Sequence, residues 1–388
     1  MLRSIAMGKS SQYWPFVMLV VWILSVSECC AKTFVYSANT DAQTIAVFEL
    51  NESNGALSHV QDTDVGGAVM PMTIAKDAKK NDVLFAATRS APFKLLVMDI
   101  DSLSGKLTLK ATVPLVDNMA NIALDTGEKN VFAASYGGDK ISVQPLVDSI
   151  PVDPVEVIKT GRHPHQITAD PENKFVYVSL LGDDRLDYFH LASIVEYGDA
   201  AQRDNTTGLE KNTQKLPRVG IPAITLPLGS GPRHFVFSAN GNFLYVIAEL
   251  SAQIYVLARD KHSGKLTLLE THDLLPKNSA IKPWAADIDL TPDGKFLYAS
   301  ERNSNRLYAY GVDSQTGKLK TAGSWETEKQ PRAFAISPDG RYLVVAGQAS
   351  HRLRSYAIHS VTGELKETHN ITTGANPSWI EIIHLRDN

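Results

Sequence analysis

One short pattern recurs seven times along this chain of 388 residues, and it limits the possible folds more than any other feature. Each copy is a run of β-branched and aromatic residues, and some copies follow a Pro-Asp-Gly turn, as at 291–295 and 337–341. A second turn of the form Ser/Thr-Gly-Lys-Leu recurs later in the unit, as at 263–266 and 316–319. The runs begin at Thr33, Val83, Val131, Phe175, Phe243, Phe296 and Tyr342.

The spacing of these runs predicts the fold. Successive starts are 44 to 53 residues apart, with one larger interval of 68 residues after Phe175. A period in the forties with several short strands is typical of a propeller blade, and the absence of helical periodicity argues against an α/β barrel. We therefore predict an all-β, seven-bladed β-propeller of four-stranded blades over 32–388, with a polar insertion at about 192–224. The alternative is an open, two-domain β protein.

The two ends of the repeat region predict how the ring closes. The chain enters the repeat at the second strand of a unit, in the segment 33–37, and the segment 376–383 resembles a first strand without a unit of its own. Pairing the two would complete the seventh blade and remove an open sheet edge. The C-terminal strand is therefore expected to close the propeller.

The first 31 residues differ from the rest. Arg3 and Lys9 precede an apolar run at 16–26, and the small residue Ala31 follows. This is the pattern of a secretory signal peptide, and the run is short for a membrane-spanning helix. We expect a periplasmic or secreted protein. The alternatives are an uncleaved anchor, which would be the one membrane contact, or a misassigned start codon, which would leave the protein cytoplasmic.

Composition excludes several classes of function. Both cysteines, Cys29 and Cys30, lie in the leader, so disulfides, structural zinc and cysteine catalysis are not expected in the repeat region. The net charge is −4, which gives no basic face for nucleic acid. The sequence predicts no metal site and no cofactor, and it does not indicate an oligomeric state.

Aligning the units with one another reveals polar residues at matched positions. The start of the first strand holds Met72, Ala120, His165, Arg233, Ala286 and Arg332, followed by Thr73, Asn121, Gln166, His234, Asp287 and Ala333. The end of the second strand holds Asn39, Arg89, Tyr136, Leu181, Glu249, Arg302 and Gln348. Because the two strands are antiparallel, both sets should meet at one mouth of the central channel.

This mouth is predicted to bind an anionic small molecule. Four arginines, Arg89, Arg233, Arg302 and Arg332, would surround His165 and Glu249. Several cations and one carboxylate at matched positions are costly without a ligand. Polar residues in a wet channel can instead be hydrated or paired with one another. Asp287 either pairs with a neighbouring arginine or positions the base.

These residues resemble those of a known family. The shared motifs are Gly231-Pro232-Arg233-His234, Ala248-Glu249-Leu250, Trp284-Ala285-Ala286-Asp287-Ile288, Gln330-Pro331-Arg332 and Pro377-Ser378-Trp379. Each is short, but their order and spacing from about Lys32 to His384 resemble the propeller-type 6-phosphogluconolactonases. That family is itself similar to the carboxy-muconate lactonizing enzymes.

The resemblance implies hydrolysis of 6-phospho-D-glucono-1,5-lactone to 6-phospho-D-gluconate, a step of the pentose phosphate pathway, without a cofactor. It implies catalytic roles for His165, Arg233, Glu249 and Arg302. Glu249 or His165 would deprotonate a water, and the two arginines would stabilise the oxyanion. Arg89 or Arg332 would hold the anionic group, and the further substrate-binding residues would be His234, Asp287 and Gln348.

Two features depart from the family pattern. Glu301 stands where the family has Asp. An exported leader does not suit a phosphorylated sugar lactone, which is a cytoplasmic metabolite, and would fit an unphosphorylated aldonolactone. The insertion at 192–224 is a further feature that could reshape the mouth. The rival interpretations are a lactone-forming isomerase and, outside enzymes, an exported propeller that binds a partner protein.

Overall fold

The computed structural model describes residues 31–76, 81–152, 156–194 and 219–385. The predicted signal peptide lies outside these residues, apart from Ala31. In the described part of the chain, no helix is both long enough and apolar enough to cross a bilayer.

The repeats fold into seven antiparallel sheets. Blades 1 to 3 contain β4 (Val69–Lys76), β5 (Asp82–Thr88), β6 (Lys94–Ile100) and β7 (Leu107–Pro114); β8 (Asn121–Leu124), β9 (Asn130–Ser135), β10 (Lys140–Val147), β11 (Ile150–Pro151) and β12 (Glu156–Lys159); and β13 (Pro164–Ala169), β14 (Phe175–Leu180), β15 (Arg185–His190) and β16 (Ile221–Thr225). Blades 4 to 6 contain β17 (Pro232–Phe237), β18 (Phe243–Ala248), β19 (Gln253–Arg259) and β20 (Leu266–Asp273); β21 (Ala285–Leu290), β22 (Phe296–Glu301), β23 (Arg306–Val312) and β24 (Leu319–Glu326); and β25 (Pro331–Ile336), β26 (Tyr342–Gly347), β27 (Arg352–Ile358) and β28 (Leu365–Thr372). Blade 7 contains β29 (Pro377–Leu385), β1 (Lys32–Asn39), β2 (Thr44–Leu50) and β3 (Leu57–Asp64).

The first strands of the blades form the centre of the ring. Each contacts the first strand of the next blade, in the cyclic order β4, β8, β13, β17, β21, β25, β29 and back to β4. The second strands are buried almost throughout, as expected for strands covered by neighbouring blades on both faces. The prediction of a seven-bladed propeller is confirmed.

The seventh blade is closed by the C-terminal strand, as predicted. β29 runs antiparallel to β1, with Thr33 opposite His384 and Val35 opposite Ile382. Ile380 and Leu385 of β29 are buried. The two ends of the repeat therefore share one sheet, and β1 has no free edge.

The two recurring sequence patterns meet at the boundaries between blades. Tyr245, in the second strand of blade 4, donates its hydroxyl to the carbonyl of Gly317 in the Thr-Gly-Lys-Leu turn of blade 5, at 3.0 Å. Equivalent bonds join Tyr36 to Gly105, Tyr177 to Gly264 and Tyr298 to Gly363. Gly317 has a φ of +72°, and a Cβ there would clash with the ring of Phe243. The second-strand pattern and the glycine turn recur together because a tyrosine of one blade bonds to the turn of the next.

Two details differ from the sequence prediction. Blade 2 has a fifth, two-residue strand, β11, which pairs with the end of β10. The predicted insertion at 192–224 is too long, because Ile221–Thr225 forms the fourth strand of blade 3. The polar composition of the long interval did not reveal this strand, which lies at the edge of its sheet, where Pro222 is tolerated.

The rest of the insertion, 195–218, lies outside the described residues. Its flanks are the short helix α1 (Leu191–Ile194) and the start of β16, where Ile221 pairs with Tyr188 near the end of β15. β15 begins at the mouth end of the blade and runs away from it. The described residues on either side of 195–218 therefore lie at the face opposite the mouth.

The first strands of blades 3, 4 and 6 carry β-bulges at the first polar position. In β13 the residues on either side of His165 pair with consecutive residues of β14, so His165 has no partner in the ladder. β17 skips Arg233 and β25 skips Arg332 in the same way. Consecutive side chains of a regular strand point to opposite faces, and a bulge re-aims them. Arg233 and His234 can therefore contact each other beside the channel.

Candidate active site

The carboxylate of Glu249 is the centre of the site. It follows β18 at the mouth, where first strands begin and second strands end. Arg233 Nε lies 2.9 Å from Glu249 Oε2, and Arg302 Nη2 lies 2.8 Å from the same oxygen. Both arginine side chains are 2% exposed, whereas that of Glu249 is 17% exposed. The carboxylate is thus more exposed than the two cations that flank it.

These contacts fix the charge of the carboxylate. Burial alone would raise the pKa of Glu249, but Arg233 and Arg302 outweigh burial and hold the pKa below its usual value. Both arginines contact one oxygen, so the other oxygen remains available to accept a proton. Glu249 is therefore an ionised carboxylate at neutral pH.

Arg302 is held from several sides. Its Nε donates to the carbonyl of Trp284 at 3.1 Å, and its Nη2 donates to the carbonyl of Ala285 at 2.8 Å. The guanidinium carbon lies 3.9 Å from the centre of the Trp284 ring, which is a cation–π contact. Burial and the nearby Arg233 lower the pKa of Arg302 to about 10, so it stays charged at neutral pH.

Glu301, the residue that departs from the family pattern, supports this arginine. It is fully buried, and its carboxylate accepts the backbone N–H of Trp284 at 2.7 Å and of Ser304 at 2.5 Å. These bonds tie the turn after β22 to the start of β21. Glu301 therefore fixes the backbone on which Arg302 stands.

His165 lies beside this cluster in a neutral state. Its ring centre is 5.1 Å from that of His234 and 5.9 Å from that of Tyr136. Burial, reinforced by Arg233 and by the other arginines nearby, holds the pKa of the imidazole well below its usual value. Among the described residues, nothing bonds to the buried Nδ1. A buried polar atom without a partner is what a ligand or an ordered water would satisfy.

Arg89 and Arg332 add positive charge without a carboxylate of their own. Arg89 Nε donates to Asn118 at 2.7 Å, and Arg332 Nη2 lies 3.6 Å from the sulfur of Met70. Burial, followed by repulsion from Arg233, lowers the pKa of both guanidinium groups. Neither pairs with an acid within the described ranges. The cluster therefore carries an excess of buried positive charge.

The remaining predicted residues, His234, Asp287 and Gln348, do not contact the Glu249 carboxylate in the hydrogen bonds and ion pairs of the described residues. His234 Nδ1 lies 2.7 Å from Asp287 Oδ1, and the pair is largely buried. Gln348 is at the mouth end of β26, but its amide donates to Asn376 at 2.8 Å. The structure thus brings together eight of the nine predicted residues and places Gln348 at the rim.

Sequence reasoning missed the groups that support these side chains. The hydroxyl of Ser179 donates to the carbonyl of Arg233 at 2.7 Å and accepts the N–H of Gln166 at 3.0 Å. Ser300 accepts the N–H of Asp287 at 3.1 Å. Both serines stand two residues before the position that ends the second strand. That matched register was a signal that the alignment of the units could have revealed.

A cavity of about 200 Å³ lies in the channel next to the site. Its lining includes His234, Asp287, Asp289 and Glu381. Burial, with help from Asp287, raises the pKa of Asp289 to about 7. Burial raises the pKa of Glu381 to about 8, against a hydrogen bond from Trp379 and with repulsion from Asp289 and Asp287. The channel interior is thus acidic, whereas the mouth is basic.

The raised pKa of Glu381 predicts how the stability of the fold depends on pH. A carboxyl whose pKa is raised by folding makes the fold less stable as pH rises, from its ordinary value of 4.5 to about 8 for Glu381. Glu381→Gln keeps the acceptor for Trp379 and removes the charge. We expect Tm to rise at pH values above 8 and to change little near pH 5. Each kcal/mol gained corresponds to about 1–2 °C for a chain of this length.

Scanning calorimetry at the two pH values tests this prediction. Glu364→Gln, at an exposed position, is the matched control and should give no pH-dependent difference. An equal change in Tm at both pH values for Glu381→Gln would contradict it.

Comparisons with known proteins agree with the fold. The family described as "Lactonase, 7-bladed beta-propeller" matches residues 32–382. The chain therefore belongs to the seven-bladed β-propeller lactonase family, and it is a lactone-hydrolysing enzyme.

Several relatives are more specific. The chain is similar to the 6-phosphogluconolactonase of Enterobacter sp. (strain 638), with 33% identity over 305 residues, covering 79% of this chain and 85% of the relative. It is equally similar to the enzyme of that name from Serratia proteamaculans (strain 568), with 33% identity over 306 residues, 79% of this chain and 85% of the relative. Among solved structures, a periplasmic gluconolactonase of Pseudomonas aeruginosa superposes with a TM-score of 0.78 at 25% identity, covering 92% of this chain and 100% of the other.

Proposed function

We propose that this lactonase opens a sugar δ-lactone that carries an anionic group, and that the substrate is 6-phospho-D-glucono-1,5-lactone. The observation that carries this proposal is the excess of positive charge at the mouth. Arg89 and Arg332 lie next to the Arg233–Glu249–Arg302 cluster without a carboxylate partner among the described residues. A phosphate would supply the missing negative charge, because guanidinium groups bind it by paired hydrogen bonds. The names of the two enterobacterial relatives support this choice.

Glu249 is the base in this mechanism. It takes a proton from a water, and the water oxygen attacks the lactone carbonyl carbon. The negative charge moves from the carboxylate to the carbonyl oxygen, within reach of the same two arginines, so the total charge beside them does not change. Proton transfer to His165 would instead create an imidazolium among several cations, which the depressed pKa of His165 disfavours.

The second half of the reaction returns the proton. The oxyanion re-forms the carbonyl, the bond to the ring oxygen breaks, and the protonated Glu249 gives its proton to that oxygen. The product is a hydroxy acid, which loses its own proton to the solvent. General-base assistance contributes about 10²–10⁴-fold, and removing one oxyanion donor typically costs about 10²–10³-fold. His165 Nδ1, which is buried and has no partner in the described part of the chain, would hydrogen-bond the attacking water.

A second candidate is an exported lactonase for an unphosphorylated aldonolactone. Two observations favour it: the leader pattern at 1–31, and the likeness to a solved structure titled a periplasmic gluconolactonase. Under this candidate the mature protein would begin near Lys32 and lie in the periplasm. Mass analysis of the secreted chain tests that part directly, because an intact Met1 in the cytoplasm would contradict export.

The substrate is tested by comparing the two lactones with protein that starts at Ala31. We expect a higher kcat/KM for the phosphorylated lactone. Arg332→Ala should raise KM for that lactone by about 10–100-fold, which corresponds to a charged hydrogen bond of ~1.5–3 kcal/mol. KM for the neutral lactone should not change. A preference for the neutral lactone, together with no selective effect of Arg332→Ala, would favour the second candidate.

A further inference from the structure

A chain of hydrogen bonds connects Asp287 to Arg233 through His234. His234 Nδ1 lies 2.7 Å from Asp287 Oδ1. On the other side of the ring, His234 Nε2 lies 3.2 Å from Arg233 Nη1. The same Nη1 donates to the carbonyl of Ala286 at 2.6 Å. Nη1 of Arg233 is thus engaged by this chain, whereas Nε lies in ionic contact with Glu249 and has no hydrogen-bond partner among the described residues.

The direction of these bonds follows from the chemistry of the groups. A guanidinium has only donors, so His234 Nε2 must accept and cannot carry a proton. A neutral imidazole has one proton, which is therefore on Nδ1 and is donated to Asp287. Burial and the nearby Arg233 lower the pKa of His234 to about 4, which agrees with a neutral ring. The arrangement selects one tautomer.

Asp287 is fixed by the backbone of two blades. Its Oδ1 also accepts the N–H of Ile288 at 3.0 Å, and its Oδ2 accepts the N–H of Phe334, in blade 6, at 3.2 Å. Both oxygens are therefore occupied by groups that do not move independently of the fold. A substrate hydroxyl would have to compete with these bonds.

His234 and Asp287 also lie on the channel side of the site. Both line the acidic cavity of about 200 Å³, and Arg233, Glu249 and Arg302 do not. The imidazole thus stands between the cavity and the guanidinium of Arg233. Arg233 itself sits in a β-bulge, so regular strand pairing does not determine its orientation.

We propose that His234 and Asp287 are positioning residues, which hold the Arg233 guanidinium in the orientation that stabilises the oxyanion, and that neither binds substrate. This proposal rests on the proposed lactone hydrolysis and replaces the substrate contacts expected from the sequence. His234 accepts the second Nη1 hydrogen, so the hydrogen bonds to His234 and Ala286 set the guanidinium plane, and the ionic contact with Glu249 adds to them at Nε. The remaining nitrogen, Nη2, is left for the substrate.

The test uses two substitutions of His234 in the otherwise intact chain. His234→Leu removes the acceptor, and His234→Gln offers an amide oxygen near the position of Nε2. We expect His234→Leu to lower kcat by about 10²-fold, the cost of a misplacement of ~1 Å, with KM for the phosphorylated lactone nearly unchanged. His234→Gln should recover most of kcat. Arg332→Ala is the comparison variant, because it is expected to raise KM for the phosphorylated lactone and to leave kcat unchanged.

Two results would overturn the proposal. A raised KM with an unchanged kcat in His234→Leu would mean that the imidazole binds substrate. An equal loss of kcat in both variants, together with an equal fall in Tm, would mean that the ring has only a packing role.

A measurement without turnover separates this proposal from the proposed function. Nitrogen-edited NMR of the imidazole rings, with the His234 signals identified by their loss in His234→Gln, should show a neutral ring protonated on Nδ1 between about pH 5 and pH 8. A ring protonated on Nε2 contradicts the proposal even if both lactones are hydrolysed. If neither lactone is hydrolysed but the Nδ1 tautomer is found, the proposed function fails and the orientation of Arg233 by His234 stands.

Discussion

Glu249→Gln is expected to lower kcat for lactone hydrolysis by about 10²–10⁴-fold, the usual contribution of a general base. The amide has almost the shape of the carboxylate and can still accept from Arg233 or Arg302, but it cannot take a proton from water. KM should change little, because the anionic group of the substrate is assigned to Arg89 and Arg332. Acid release, followed with a pH indicator and corrected for spontaneous hydrolysis of the lactone, measures the effect.

The matched control is the same substitution at Glu381, in the channel cavity, which should leave kcat unchanged. The pH profile gives a second check. Neighbouring arginines hold the pKa of Glu249 below its usual value, so wild-type activity should persist on the acid side of pH 4.5 and fall as pH decreases further. Nearly full kcat in Glu249→Gln, with a large loss in His165→Ala, would assign the base to His165.

The action of Glu249 and Arg233 as one unit can be tested with a double substitution. Arg233→Ala removes the oxyanion donor and leaves Glu249 with one cation. If the two side chains serve the same step, the double variant should lose much less than the product of the two single losses. Losses that multiply would show that the two residues act independently.

Removing β29, by ending the chain after residue 375, is expected to abolish cooperative folding. β29 covers the whole length of β1, with pairs from Lys32–Leu385 to Asn39–Pro377. Its Ile380 and Leu385 are buried, and each buried side chain of this kind contributes about 1.5–3 kcal/mol. Together with the exposed edge, this loss approaches the total stability of a typical domain, ~5–15 kcal/mol. Thermal unfolding followed by circular dichroism measures it.

A permuted chain controls for this truncation. Leu385 lies opposite Lys32, so a short turn can join the end of β29 to the start of β1. A chain that begins with 376–385, continues through this turn to Lys32 and ends after residue 373 keeps every strand of blade 7. It should unfold at a Tm close to that of the protein starting at Ala31. A truncated chain that unfolds like the intact protein would show that closure by β29 is not needed.

The sequence by itself determined the fold, because the repeat is a local signal. Each unit contains its own turns and strand pattern, so comparison of the units was enough to predict seven blades and the closing strand. The same comparison identified His165, Arg233, Glu249 and Arg302 as neighbours, since antiparallel strands of one blade must bring these positions to one mouth.

The tertiary structure decided which of these groups touch. The bulges at His165, Arg233 and Arg332 are irregularities in the pairing between two strands, and the pattern of one strand does not show which residue it pairs with. The bonds from Phe334 to Asp287 and from Arg233 to Ala286 cross blade boundaries, so no single unit encodes them. The fourth strand of blade 3, Ile221–Thr225, was included in the predicted polar insertion for a similar reason, because its place at a sheet edge is a property of the assembled blade. Local pattern thus specified the ring, and contacts between blades specified the charge pairing at its centre.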